Sequence, residues 1–250
     1  MIKRYRYGNP FPTGAVAEEL AIESGEQKLF RRNEAGEFLL TLAPEDCVYG
    51  LGEAVRGINK RGWLYESCNE DDPIITEKRT SLYGAHNFIA VIGERQKFGA
   101  FFDCADSVLF DIGYTNLNEL RVRAENFDLY LIDGESAAGI VRQFRTLIGE
   151  SYIPPKWAFG YGQSRWGYKC EADIREIAEG YRNADMPLDM IYLDIDYMER
   201  YKDFTVNQER YPDLKKLASD MKQEGIRLIP IIDAGVKVEA GYEVYEEGVR

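Results

Sequence analysis

The stretch Met190-Ile191-Tyr192-Leu193-Asp194-Ile195-Asp196-Tyr197-Met198 decides how this chain folds. Its first four residues make a short apolar strand, and two acids spaced two apart follow. On the N-terminal side, Ile174, Ile177, Ala178 and Tyr181 recur at i, i+3, i+4 and i+7, the apolar face of a helix. On the C-terminal side Leu214, Leu217, Ala218 and Met221 repeat that spacing, Gly225 stops the helix, and Arg227 to Ile232 reads as the next strand. Trp157 to Gln163 supplies a strand before the first helix. The order is β-α-β-α-β. Short apolar strands alternating with amphipathic helices require parallel strands with right-handed crossovers, in a doubly wound sheet or a (β/α) barrel.

This rhythm starts after Ser151-Tyr152-Ile153-Pro154-Pro155, where two prolines hold the chain extended, so we expect domains at 1–150 and 151–250. Upstream the pattern is all β. Cys47 to Leu51, Asn87 to Ile92, Phe98 to Cys104, Ser107 to Ile112, Glu119 to Ala124 and Asp128 to Ile132 are short runs separated by turn residues, which predicts an antiparallel β-sandwich. Ser136 caps a connecting helix with an apolar stripe of Ile140, Val141, Phe144, Leu147 and Ile148. Val236 to Arg250 is polar and suggests no closing helix.

Composition narrows the function. Among 250 residues, 31 Lys plus Arg against 43 Asp plus Glu leave a formal net charge of −12, with no basic block, which argues against a nucleic-acid partner. Neutral, hydroxyl-rich or cationic ligands fit better. No apolar run exceeds roughly six residues, too short for a membrane span. The start, Lys3, Arg4 and Arg6, leads into Tyr7-Gly8-Asn9-Pro10 rather than an apolar segment, so a cytoplasmic address is expected. The 4 cysteines are scattered without a CxxC pair, and the single histidine, His86, rules out a multi-histidine metal site and makes a serine triad hard to assemble. No cofactor or metal is expected, and carboxylates must carry any catalysis.

In parallel α/β architectures chemistry sits past the C-terminal ends of strands. Here those ends run into Gln163-Ser164-Arg165-Trp166-Gly167-Tyr168, Asp194-Ile195-Asp196 and Asp233-Ala234-Gly235. In an extended chain Asp194 and Asp196 share a face. Carboxylates beside aromatic walls suit sugars, though an Asp after a strand is equally a cap or turn former. Gly50-Leu51-Gly52-Glu53 lacks the third glycine and the helix of a dinucleotide loop and reads as a β-turn. Ser164 lacks the second glycine of a nucleophile elbow, because Trp166 stands there. His86 reads as a hydrogen-bonded structural residue, and Asn69-Glu70-Asp71-Asp72-Pro73 as an exposed charged loop.

Together, Ile153-Pro154-Pro155-Lys156-Trp157-Ala158-Phe159-Gly160, Gln163 to Tyr168, Leu193 to Met198 and Leu228 to Asp233 resemble the start of the catalytic domain of glycoside hydrolase family 31, the α-glucosidase and α-xylosidase family. Tyr49 to Glu53 and Leu82 to Phe88 resemble its N-terminal sandwich. The resemblance, closest to bacterial α-glucosidases, implies a galactose-mutarotase-like β-sandwich followed by the first three βα units of an incomplete (β/α)8 TIM barrel. It implies that Asp194 hydrogen-bonds the terminal sugar, that Ile195 and Ile231 line its pocket, that Trp166 lies on the aglycone side, and that Asp71 reaches the same sugar. It also implies that the nucleophile, in an Asp-Met-Asn-Glu motif, and the acid/base lie beyond Arg250. Catalytic residues are therefore not expected among these 250, and α-glucoside oligosaccharides are the expected ligands. The unpaired edge of a three-stranded start makes a homo-oligomer possible. The alternative is a non-catalytic carbohydrate-binding or interaction protein.

Overall fold

The computed structural model describes residues 1–250 and divides the chain into two units, Met1–Ser151 and Tyr152–Arg250. In the first, the strands are β1 (Ile2–Tyr7), β2 (Arg31–Arg32), β3 (Phe38–Thr41), β4 (Cys47–Gly52) and β5 (Trp63–Ser67). They continue as β6 (Ala85–Ile92), β7 (Lys97–Asp103), β8 (Val108–Ile112), β9 (Glu119–Arg123) and β10 (Phe127–Asp133), followed by helix α1 (Ala137–Ile148). Two five-stranded antiparallel sheets form, ordered β1-β10-β7-β6-β4 and β2-β3-β9-β8-β5. The expected runs from Cys47 onward are all strands. β1, β2, β3 and β5 are additional.

Alternation explains the layers. Phe98, Ala100 and Phe102 of β7 and Phe127 and Leu129 of β10 point into the core between the sheets, where Phe38 and Phe127 meet edge to face at 5.3 Å between ring centres. Phe101, Tyr130 and Ile132 face the other way, onto α1. Ser136 caps that helix, its Oγ accepting from the Gly139 N–H at 3.2 Å. Ile140, Phe144 and Leu147 cover the sheet, Phe144 stacking on Phe88 at 3.9 Å, whereas Val141 and Ile148 are exposed and take no part in that packing. The first sheet is therefore buried on both faces, which is why β6, β7 and β10 read as nearly continuous apolar runs. Gly50-Leu51-Gly52 is not a turn. It is an irregularity inside β4, where the register against β6 shifts between Gly50 and Gly52. Gly50 has φ +123 and lies so near Phe88 that a Cβ would fall 2.2 Å from its carbonyl oxygen, so only glycine fits.

The second unit holds β11 (Gly162–Gln163), α2 (Glu171–Asn183), β12 (Met190–Leu193), α3 (Leu214–Gln223), β13 (Arg227–Pro230) and α4 (Glu243–Gly248). Its sheet, β11-β12-β13, is parallel throughout. Ile174 and Ala178 of α2 and Leu217 and Met221 of α3 pack with Ile191 and Leu193 on one face. The anticipated first strand is shorter than its apolar run, because Lys156–Phe159 winds into a 3-10 turn after Pro155. The third strand ends at Pro230, although the Ile231 N–H still bonds the Leu193 carbonyl at 2.9 Å. The polar tail contains α4 after all, anchored by buried Tyr242, whose hydroxyl donates to the Asp203 carbonyl at 2.7 Å.

Candidate functional site at the strand ends

In β12 the buried Ile191 and Leu193 face the helices, so Met190 and Tyr192 face the other side of the sheet. The Tyr192 ring lies across β11: a Cβ on Gly162 would come within 2.8 Å of it and 2.9 Å of Met190. Asp194, one residue past the strand and still extended (φ −81, ψ 179), continues the alternation onto the Tyr192 side. Its Oδ1 accepts the Ile195 N–H at 2.7 Å, capping a 3-10 turn over Ile195–Tyr197, while Oδ2 makes no hydrogen bond within the chain.

That turn corrects one expectation. Asp194 and Asp196 would share a face only in an extended chain, and the chain is no longer extended. Asp196 is 4% exposed and accepts from Arg210 Nη1 at 3.2 Å, with the same guanidinium 3.3 Å from its backbone carbonyl. A buried polar group is costly unless it is hydrogen-bonded, and Arg210 supplies that partner. Asp196 therefore anchors the turn and leaves Asp194 alone at the strand end.

Two further contacts draw Ile231 in. The Tyr197 hydroxyl donates to the Ile231 carbonyl at 2.9 Å, and Ile231, 37% exposed, follows Pro230 beside Leu193 and Asp194. Burial, reinforced by nearby Asp203, raises the Tyr197 phenol, so it remains a neutral donor. Asp194, Ile195, Tyr192 and Ile231 thus come together. Trp166, 70% exposed, stands on the loop after β11, beside Gly167 in left-handed backbone. Gln163, in contrast, is a strut: its amide donates to the Tyr168 hydroxyl at 2.9 Å and accepts from Tyr181 at 2.5 Å.

The loop that leaves the turn is strained. Arg200, Tyr201 and Phe204 all have φ between +52 and +60. Non-glycine residues hold such backbone only when surroundings enforce it. Thr205 supplies the constraint, accepting the Glu199 N–H at 2.9 Å and donating to the Lys202 carbonyl at 2.6 Å.

Asp71 belongs to the first unit. Arg79 engages its neighbours Glu70 (2.5 Å) and Asp72 (2.8 Å), and the Ala85 N–H donates to Asn69 at 2.9 Å, so the loop is tied at three acidic or amide side chains. Asp71 is exposed with no cation partner. Partial burial and the adjacent Asp71 carboxylate raise the Tyr83 phenol. His86 is exposed at the start of β6 and its ring makes no hydrogen bond, unlike the structural role expected of it.

Sequence reasoning passed over Tyr192 and Arg210. The alternation of Met190-Ile191-Tyr192-Leu193 was enough to find Tyr192. Nothing local marked Arg210, which meets Asp196 across 14 residues of chain.

Two family models match the chain: the glycosyl hydrolase 31 N-terminal galactose mutarotase-like domain over residues 15–111 and the family 31 TIM-barrel domain over residues 151–250. An α-glucosidase 2 of Bacillus thermoamyloliquefaciens is 39% identical over 208 residues, covering 82% of this chain and 26% of that protein. An α-glucosidase of Saccharolobus solfataricus is 26% identical, covering 90% of this chain and 34% of that one. Among solved structures, the Flavobacterium johnsoniae GH31 dextranase complexed with glucose superposes with a TM-score of 0.71 at 28% identity, over 82% of this chain and 25% of the dextranase. The chain thus spans about a quarter to a third of these relatives. The sandwich and the partial barrel both carry the same family's sequence pattern, and the chain belongs to glycosyl hydrolase family 31.

Proposed function

We propose that this chain carries the sugar-binding part of an α-glucosidase-type retaining glycoside hydrolase that takes terminal α-linked glucose. The observation that carries the reading is Asp194: one carboxylate oxygen is spent on its own turn and the other is free, at the C-terminal end of a parallel strand, between Tyr192 and Ile231. A carboxylate held this way accepts hydrogen bonds from sugar hydroxyls, and the tyrosine and isoleucine cover the apolar face of the ring. Ile195 shapes the same pocket and Trp166 borders the aglycone side, while the role of Asp71 toward the sugar rests on the family resemblance of its loop alone. The α-glucosidase relatives and the glucose-bound dextranase support this assignment.

Retaining chemistry needs two carboxyl groups about 5 Å apart on opposite sides of the glycosidic bond. Asp194 and Asp196 do not provide them, because Asp196 is turned into its pair with Arg210. Neither is a nucleophile. The chain by itself binds α-glucosides without cleaving them. In an NMR titration of the whole chain, maltose is expected to shift the amides of residues 192–197 at millimolar concentration, and Asp194→Ala to abolish the response. No response, or one indifferent to that substitution, would falsify the assignment, and turnover of a chromogenic α-glucoside by the pure chain would overturn the non-catalytic part.

A further inference from the structure

The first unit holds a second polar cavity, on the outer face of its β1-β10-β7-β6-β4 sheet. About 350 Å³ in volume, it lies between Arg4 and Arg6 of β1, Asp128 and Tyr130 of β10, Asp103 of β7, and the segment 10–16. Asp128 is fully engaged: it accepts from Arg4 Nη2 at 2.7 Å and from Arg6 Nε and Nη2 at 2.9 and 2.8 Å. Asp103 stands directly opposite Asp128 in the strand register and holds only the Thr13 hydroxyl, at 2.5 Å. Two more groups go unanswered. Arg4 is 4% exposed and Tyr130 fully buried, yet Arg4 Nε and the Tyr130 hydroxyl have no hydrogen-bond partner. Buried polar groups without partners are rare in folded proteins and call for an occupant.

The chemistry of the lining selects that occupant. Two guanidinium groups face Asp103 and Asp128, with the exposed Glu19 3.5 Å from Arg4 at the rim. The lining thus holds one more acid than base and does not favour an anion, while both guanidinium groups disfavour a cation. The unspent groups are a carboxylate oxygen, a guanidinium N–H and a phenol, which together ask for a ligand that both donates and accepts. Pro10, Phe11 and Pro12 add an apolar wall, and the Phe11 ring is 73% exposed. The volume is at the lower end of small-molecule pockets, roughly 300–1,000 Å³. We propose that this cavity binds a neutral polyhydroxylated molecule of monosaccharide size, held by Asp103, Arg6 and the buried Arg4 and Tyr130 groups, with Phe11 against its apolar face. Burial, more than any neighbour, raises the Asp103 carboxyl, as expected of an acid waiting for a hydrogen-bond donor. The site is independent of Asp194.

The test is an NMR titration of the whole chain with D-glucose. Saturable shifts are expected at the amides of Phe11, Thr13 to Val16 and Asp103 and at the Arg4 Nε–H, with millimolar affinity. Asp103→Ala and Phe11→Ala should each weaken binding about tenfold or more, near 1.4 kcal/mol, while Asp194→Ala leaves these shifts in place. Phe11 is exposed, so its replacement keeps the fold and the result stays interpretable. Absence of saturable shifts at these residues, their loss in Asp194→Ala, or displacement of glucose by inorganic phosphate would each overturn the proposal.

Discussion

The two units bury their sheets differently. In the first, the β1-β10-β7-β6-β4 sheet has the sandwich core on one face and α1 on the other, and Phe102, Tyr130, Ile89 and Ile132 are fully buried. In the second, α2 and α3 cover one face of the parallel sheet through Ile191 and Leu193, while Tyr192 and Ile231 each remain 37% exposed away from that cluster. The groups proposed to bind sugar lie on the less covered surface. Parallel sheets are ordinarily covered on both faces. The face that α2 and α3 leave uncovered belongs to a partial barrel, in a chain that spans about a quarter to a third of its relatives.

Core truncation gives the largest effects. Phe102, packed among Phe30, Phe38, Phe110 and Phe127, should cost about 3–5 kcal/mol on replacement by alanine. Ile191→Ala should cost about 2–5 kcal/mol, because its cluster is also closed around it. Denaturant unfolding with hydrogen exchange resolves both, and equal exchange protection in β7 and β12 of the native chain would break the comparison.

Next comes the anchor of the turn. Arg210→Met leaves the Asp196 carboxylate buried without its cation and should cost about 1–3 kcal/mol, moderated by the partial exposure of Arg210. The same variant should weaken maltose binding, since Asp194 caps the turn that Asp196 holds. Unchanged stability and unchanged binding would show that the pair does neither.

The smallest effect concerns two acids facing each other in the first unit. Burial raises Asp128, but hydrogen bonds from Arg6 and Arg4 outweigh it and hold the carboxyl below its usual range. Its contribution to stability is therefore full above the unfolded value of 3.8 and is lost as pH falls through the lower folded value. Asp103 is the reverse. Its raised folded value makes the ionised form a cost, which is full above that value, fades as pH falls through it and is gone below 3.8. Asp103→Asn should thus stabilise the chain by roughly 0.2–1 kcal/mol at neutral pH and make no difference in strong acid. Melting curves at several pH values check this, and a loss of stability at neutral pH would contradict it.

Much of the fold was legible because period is a local property. The short apolar run Phe98 to Cys104 between turn residues and the i, i+3, i+4, i+7 faces of α2 and α3 identify their elements whatever lies nearby. β1 escaped notice because Arg4 and Arg6 read as a basic start. Arg4 is buried only because Asp128, 124 residues away, neutralises it. Asp194 was legible as a strand-end acid, and its likeness to a known motif suggested the role proposed for it.

The roles of its neighbours were not legible. Sequence by itself determined the two-unit plan, the parallel order of β11, β12 and β13, and the placing of an acid at the end of β12. Tertiary structure alone decided that Asp196 turns inward to Arg210, that Tyr197 ties Asp194's turn to Ile231, and that Asp103 pairs with Asp128 on adjacent strands at one cavity. The reason is physical. Strand and helix periods follow from bonds between near neighbours, whereas the state of a charged side chain depends on which distant residue the fold brings within about 3 Å of it.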